Sequence, residues 1–105
     1  MAKLKEQKAV EKVNAYGLDL DSILSVRVVE ARNLMPMDFT GKSDPYVVLK
    51  LGSQTVKTNY IHQELNPVWN EVFNFDVDTG KEVLDVTAFD HDDFGSDDYL
   101  GRFQL

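Results

Sequence analysis

The sequence predicts an all-β fold, an antiparallel sandwich entered from a short helical extension, and three observations predict it. From Ile23 onward, short runs alternate apolar and polar residues with the period of two that half-buried strands require. These runs recur at close spacing, with turn-forming connections and no clear helical segment between them. A chain of 105 residues can bury one hydrophobic core and has little room for a second.

The first segment, residues 2–13, is rich in helix formers, and Ala2, Ala9, Val13 and Tyr16 would share one helical face. A short helix is expected there, on an extension covering residues 1–21. Its charged composition favours a solvated segment over an amphipathic membrane anchor. Gly17 and the stretch Asp19-Leu20-Asp21-Ser22 break the pattern, and the domain is placed at 22–105. Strands are expected over residues 23–30, 46–51, 54–58, 68–77, 83–89 and 100–105, the second and third joined by Gly52-Ser53, a connection of hairpin length. The predicted core is Leu24, Val26, Val28, Tyr46, Val48, Trp69, Phe73, Phe75, Leu84, Val86, Ala88, Leu100 and Phe103. Trp69 and the strand phenylalanines read as core, because a sandwich interior needs aromatics at alternating positions.

Eleven basic against eighteen acidic side chains give a net charge of −7. That field disfavours nucleic acid and any anionic surface unless something inverts it locally. The chain has no cysteine, which excludes disulfides and thiolate metal sites. Neither a membrane-spanning apolar run nor a signal-peptide pattern occurs, so a cytoplasmic setting is expected. His62 and His91 lie in separate loops without a nucleophile motif beside them, and no glycine-rich phosphate loop occurs, so no enzymatic activity is expected.

The aspartates fall between the strands. Asp38 and Asp44 flank one loop, and Asp90, Asp92, Asp93, Asp97 and Asp98 cluster after the fifth expected strand. Loops at one end of a sandwich share a rim, so these groups can converge, and each close pair would repel by about 1 to 4 kcal/mol at roughly 4 Å. Ca²⁺ suits such a set, since it takes hard oxygen ligands in irregular geometry. An EF-hand is excluded: Phe94 stands at the third ligand position and Gly101 where the bidentate glutamate belongs. Plain turn chemistry, with aspartates capping their own backbone, accounts for such loops equally well, and spacing leaves both readings open.

Four ordered motifs resemble the C2 domain family: Ala31-Arg32-Asn33-Leu34-Met35-Pro36-Met37-Asp38, Gly41-Lys42-Ser43-Asp44-Pro45-Tyr46-Val47, Leu65-Asn66-Pro67-Val68-Trp69-Asn70-Glu71-Val72-Phe73-Asn74-Phe75, and Phe89-Asp90-His91-Asp92 through Asp98-Tyr99-Leu100-Gly101. The resemblance implies a Greek-key antiparallel sandwich that holds Ca²⁺ between loops at one end. It assigns ligand roles to Asp38, Asp44, Asp90, Asp92 and Asp98, with backbone carbonyls near Met37 and His91 completing the shells and Asp93 and Asp97 as bystanders. It places Phe39 and Phe94 at loop tips that enter a bilayer interface. The implied function is calcium-dependent binding to anionic, phosphatidylserine-like membranes by a targeting module, peripheral at membranes when calcium rises. A calcium-independent protein-interaction module is the alternative. The last two family strands have no counterpart before Leu105, so a partner chain, swapped strands or a C-terminally incomplete domain is expected.

Overall fold

The computed structural model describes residues 2–8, 12–13, 19–21, 23–37, 41–77 and 80–105, the first three stretches by backbone alone. Among the described residues every regular element is a strand: β1 (Ala2–Lys8), β2 (Lys12–Val13), β3 (Asp19–Asp21), β4 (Ile23–Ala31), β5 (Pro45–Leu51), β6 (Gln54–Lys57), β7 (Val68–Asp76), β8 (Leu84–Asp90) and β9 (Asp98–Gln104). They form a three-stranded sheet in the order β1-β4-β7, a four-stranded sheet in the order β6-β5-β8-β9, and the small pair β2-β3. Each pairing is antiparallel.

The helix expected over residues 2–13 is corrected over Ala2–Lys8, where the backbone is extended and pairs with β4 from Ala2↔Ala31 to Lys8↔Leu24. Helix propensity is a weak prior, and the open edge of β4 presents a row of unpaired backbone groups that a neighbouring segment can satisfy. Residues 9–11 of that expected helix lie outside the described residues.

The core lies between the two larger sheets. Val26 and Val28 of β4 and Trp69 and Phe75 of β7 face Val47, Leu49 and Leu51 of β5 and Leu84, Val86 and Ala88 of β8, all buried. Leu24, Phe73, Leu100 and Phe103 pack against this cluster half-buried. The expected face of β5 is reversed: Val47 and Leu49 are fully buried, while Tyr46 and Val48 are half-buried on the outer face. The exposed Lys50 shares their parity, and in a strand residues two apart point the same way. Fixing Lys50 in solvent fixes Tyr46 and Val48 beside it.

Backbone geometry sets the register. Gly52, first residue of the two-residue turn between β5 and β6, takes φ of 58°, which a hairpin turn of this length demands. Asn70 takes φ of 51° where the β4–β7 register shifts, the left-handed residue of a bulge. Beyond that turn the Gln54 amide joins the two larger sheets: Nε2 donates to the Asp76 carbonyl at 2.7 Å and Oε1 accepts from the Asp76 N–H at 2.9 Å. At the opposite end the described connecting residues 32–37, 41–44, 58–67 and 91–97 gather on one rim. Backbone bonds stitch them together, Ile61 N–H to the Pro45 carbonyl at 3.0 Å, Glu64 N–H to Ser43 at 2.8 Å and His91 N–H to Asp44 at 2.9 Å.

Candidate functional site

The rim's acidic groups are placed by the strand ends. Asp90 closes β8 and Asp98 opens β9, and the two face each other in the β8–β9 ladder. Asp44 immediately precedes β5, whose first residue pairs with Asp90. The result is a cavity of about 530 Å³ lined by Met37, Asp44, Asp90, Asp92, Phe94 and Asp98, with His91 and Asp93 beside them. Four of the five aspartates expected as ligands therefore share one cavity. The fifth, Asp38, and the expected loop-tip Phe39 lie outside the described residues.

Backbone donors hold three of these carboxylates, those of Asp44, Asp90 and Asp92. Asp90, only 6% exposed, accepts the Asp44 N–H at Oδ1 at 2.7 Å. Asp44 Oδ1 in turn accepts the Gln63 N–H at 2.7 Å, with His62 Nδ1 at 3.5 Å from the same oxygen. Gln63 makes that bond from φ of 47°, a left-handed conformation that costs a residue with a Cβ about 1 to 2 kcal/mol. Asp92 Oδ1 accepts the Phe94 N–H at 2.9 Å, which turns the chain so that Phe94 projects with 99% of its surface exposed. Gly95 lets the loop fold over that carboxylate, since a Cβ there would meet Asp92 Oδ2 at 3.3 Å.

Asp97 is not a bystander. Its Oδ1 accepts the Asp92 N–H at 3.0 Å, and its Oδ2 accepts the hydroxyl of Tyr46, across from β5. The Tyr46 hydroxyl, followed by the Asp92 N–H, holds the Asp97 carboxyl below the usual carboxylate range. Burial and then the bond to Asp97 push the Tyr46 phenol up to about 12. His91, expected only as a spacer with a useful carbonyl, stacks on Tyr60 at 4.3 Å between ring centroids, and its Nε2 lies 2.7 Å from Asp93 Oδ1. Sequence reasoning missed Tyr46 and Gln63 as well. The parity of Lys50 could have placed Tyr46 on the outer face, whereas nothing in the chain announced the backbone of Gln63.

The donor set is uniformly hard oxygen, as Ca²⁺ prefers, and the protein offers no thiolate. Among the described residues no three acidic or imidazole groups are drawn together closely enough to grip an ion.

Comparison with known proteins identifies the fold and its motifs. The C2 domain family model matches residues 22–105. The chain belongs to the C2 domain family. Mouse multiple C2 and transmembrane domain-containing protein 2 is 45% identical over 83 residues, covering 79% of this C2 chain but 10% of that protein. The chain thus spans about a tenth of the relative's length. The C2A domain of plant extended synaptotagmin 1 superposes with a TM-score of 0.74 at 37% identity, covering 79% of this chain and 66% of that one. A calcium-bound structure of the C2A and C2B domains of extended synaptotagmin 2 gives 0.72 at 32% identity, over 79% of this chain and 33% of that one. The fold expectation holds: the described residues form an all-β antiparallel C2 sandwich.

Proposed function

We propose that this C2 domain is a targeting module that binds anionic phospholipid membranes in a calcium-dependent manner. One observation carries the reading: four carboxylates of the family's ligand pattern line a single open cavity, and the exposed Phe94 stands at the same cavity. Asp44, Asp90, Asp92 and Asp98 would hold Ca²⁺, with Asp38 and carbonyls near Met37 and His91 as further ligands. The ion would supply positive charge and open coordination positions for headgroup oxygens. The chain's own residues do the rest. Asp90 and Asp44 anchor the two loops to each other, the Asp92 turn presents Phe94, and Phe94, together with Phe39, enters the bilayer interface. The alignment with a calcium-bound relative supports this reading. In a cell the module would be cytoplasmic and peripheral at membranes when calcium rises.

Sedimentation with vesicles of phosphatidylcholine alone or mixed with phosphatidylserine, in Ca²⁺ or chelator, tests it. Pelleting confined to the arm with both phosphatidylserine and Ca²⁺ is expected. Equal pelleting in every arm, or none in any, overturns the reading. A second reading, a calcium-independent protein-interaction module, draws on the carboxylates' not converging among the described residues. Calorimetric titration separates the two: Ca²⁺ heat present in the native chain and lost in Asp90→Asn supports the first, and no heat in the native chain supports the second.

A further inference from the structure

We propose that Asp97 and Tyr46 form a positioning device for the calcium site, a tether that fixes the Asp92 segment of the 91–97 loop against β5. The inference rests on the calcium reading above and assigns it two residues outside the ligand set. Tyr46 stands on the outer face of β5, its ring stacked on Phe89 of β8 at 5.6 Å between centroids, so the hydroxyl starts from a rigid sheet. Phe89 in turn meets the edge of Tyr99 on β9 at 6.4 Å. From this aromatic row the Tyr46 hydroxyl donates to Asp97 Oδ2, while Asp97 Oδ1 takes the Asp92 N–H at 3.0 Å. The carboxylate thus bridges a strand and a loop with one oxygen each.

The bridge matters because Asp92 is otherwise exposed and held by a local turn. Its side chain makes a bond two residues away, to the Phe94 N–H, which shapes the tip but does not fix the tip relative to the sheet. Asp90 and Asp44 are pinned by strand ends and by each other. The Asp92 N–H is instead held by Asp97, a side chain from the far end of the same loop. Groups that orient metal ligands from behind typically change metal affinity about 10- to 100-fold when removed.

Asp97 could instead act only by adding negative charge to the rim, and isosteric replacement separates the two roles. An asparagine at 97 can still accept the Asp92 N–H at its amide oxygen and donate to the Tyr46 hydroxyl oxygen, keeping the bridge without the charge. Alanine removes both. Calcium titration of the full chain by calorimetry, without lipid, should show Asp97→Ala weakened about tenfold or more, and Asp97→Asn within about threefold of the native chain. Tyr46→Phe, which keeps the ring on Phe89, should lose affinity on its own yet add nothing to Asp97→Ala, because each breaks the same bridge. Thermal melting without calcium identifies any variant that has lost its fold, and Asp97→Asn and Tyr46→Phe are the conservative pair that keep the test informative. Equal losses in Asp97→Asn and Asp97→Ala, or additive losses in the double variant, overturn the tether. Native-chain titration without heat defeats the calcium reading and the tether together, whereas native binding that Asp97→Ala leaves unchanged defeats the tether alone.

Discussion

Replacing Phe94 by alanine should separate membrane anchoring from everything else the rim does. The side chain is 99% exposed, so it supports no packing, and surface changes of this kind usually move stability by less than about 0.5 kcal/mol. The backbone N–H that shapes the turn, bonded to Asp92 Oδ1 at 2.9 Å, survives the substitution. What is lost is transferable apolar surface. Burying a phenylalanine side chain is worth about 1.5 to 3 kcal/mol, and a loop tip resting at the interface recovers part of that. Taking about 2 kcal/mol, the partition coefficient onto phosphatidylserine vesicles at saturating Ca²⁺ should fall roughly 30-fold. The assay is vesicle titration followed by sedimentation, beside lipid-free Ca²⁺ titration of the same variant. Calcium affinity and melting temperature should match the native chain. A partition coefficient within about twofold of native would show that Phe94 stays in water when the domain docks. Parallel loss of lipid-free calcium affinity would show that the residue shapes the cavity instead.

Three further outcomes follow from the scaffold. Phe75→Ala, at a position 1% exposed in the middle of the core, should cost about 3 to 5 kcal/mol in urea unfolding, a large share of a small domain's stability; a cost under about 1 kcal/mol would contradict the packing described. Gln54→Ala removes both bonds joining its amide to the Asp76 backbone and should lower stability by about 1 to 2 kcal/mol, water taking up part of the deficit at this exposed end; an unchanged midpoint would mean that the clamp is idle. Asp85 is held below the usual carboxylate range, first by the Arg102 guanidinium at 2.6 Å and then by Gln104. A carboxyl with a lower folded than unfolded pKa contributes stability that is present above the unfolded value of about 4 and lost as pH falls through the folded one. Acid unfolding should therefore show a shallower decline below about pH 4 in Asp85→Asn than in the native chain, and identical slopes would refute the assignment.

Most of the sandwich was legible because alternation and β-branching speak directly about half-buried strands. Val26, Val28, Phe75 and Val86 sit where their period of two puts them. The run 46–51 was harder, since it is apolar on both parities up to Lys50, and periodicity alone could not choose a face. A single solvated lysine decides it once its parity is followed back along the strand. The segment 2–8 was read from its helix formers, and the unpaired edge of β4 overrides that preference; an edge elsewhere in the chain is invisible to local propensity. At the rim, spacing left turn chemistry and metal binding open, and the resemblance named Asp44, Asp90, Asp92 and Asp98, which line one cavity. It could not name which carboxylates hold the loops in place. Asp93 and Asp97 look alike in the sequence, yet Asp97 bridges Tyr46 and the Asp92 N–H while Asp93 faces His91.

The net charge of −7 bears on which force could bring this domain to an anionic surface. At physiological ionic strength charges more than about 8 Å away are largely screened, so the acidic groups on the distal end matter little and those around the cavity matter most. There Asp44, Asp90, Asp92, Asp93, Asp97 and Asp98 stand together, and the exposed Lys42 on the neighbouring loop is too little to invert their field. A diffuse positive potential is therefore not available to attract headgroups, even with part of the rim charge neutralised. On the proposed function attraction would be short-ranged, through coordination within the cavity and through apolar contact at the exposed Phe94. Coordination depends on where the loop holds its carboxylates, whereas apolar burial is non-directional. A tether such as Tyr46–Asp97, which fixes where the loop stands relative to the sheet, therefore bears more on docking than one further charge on the rim would.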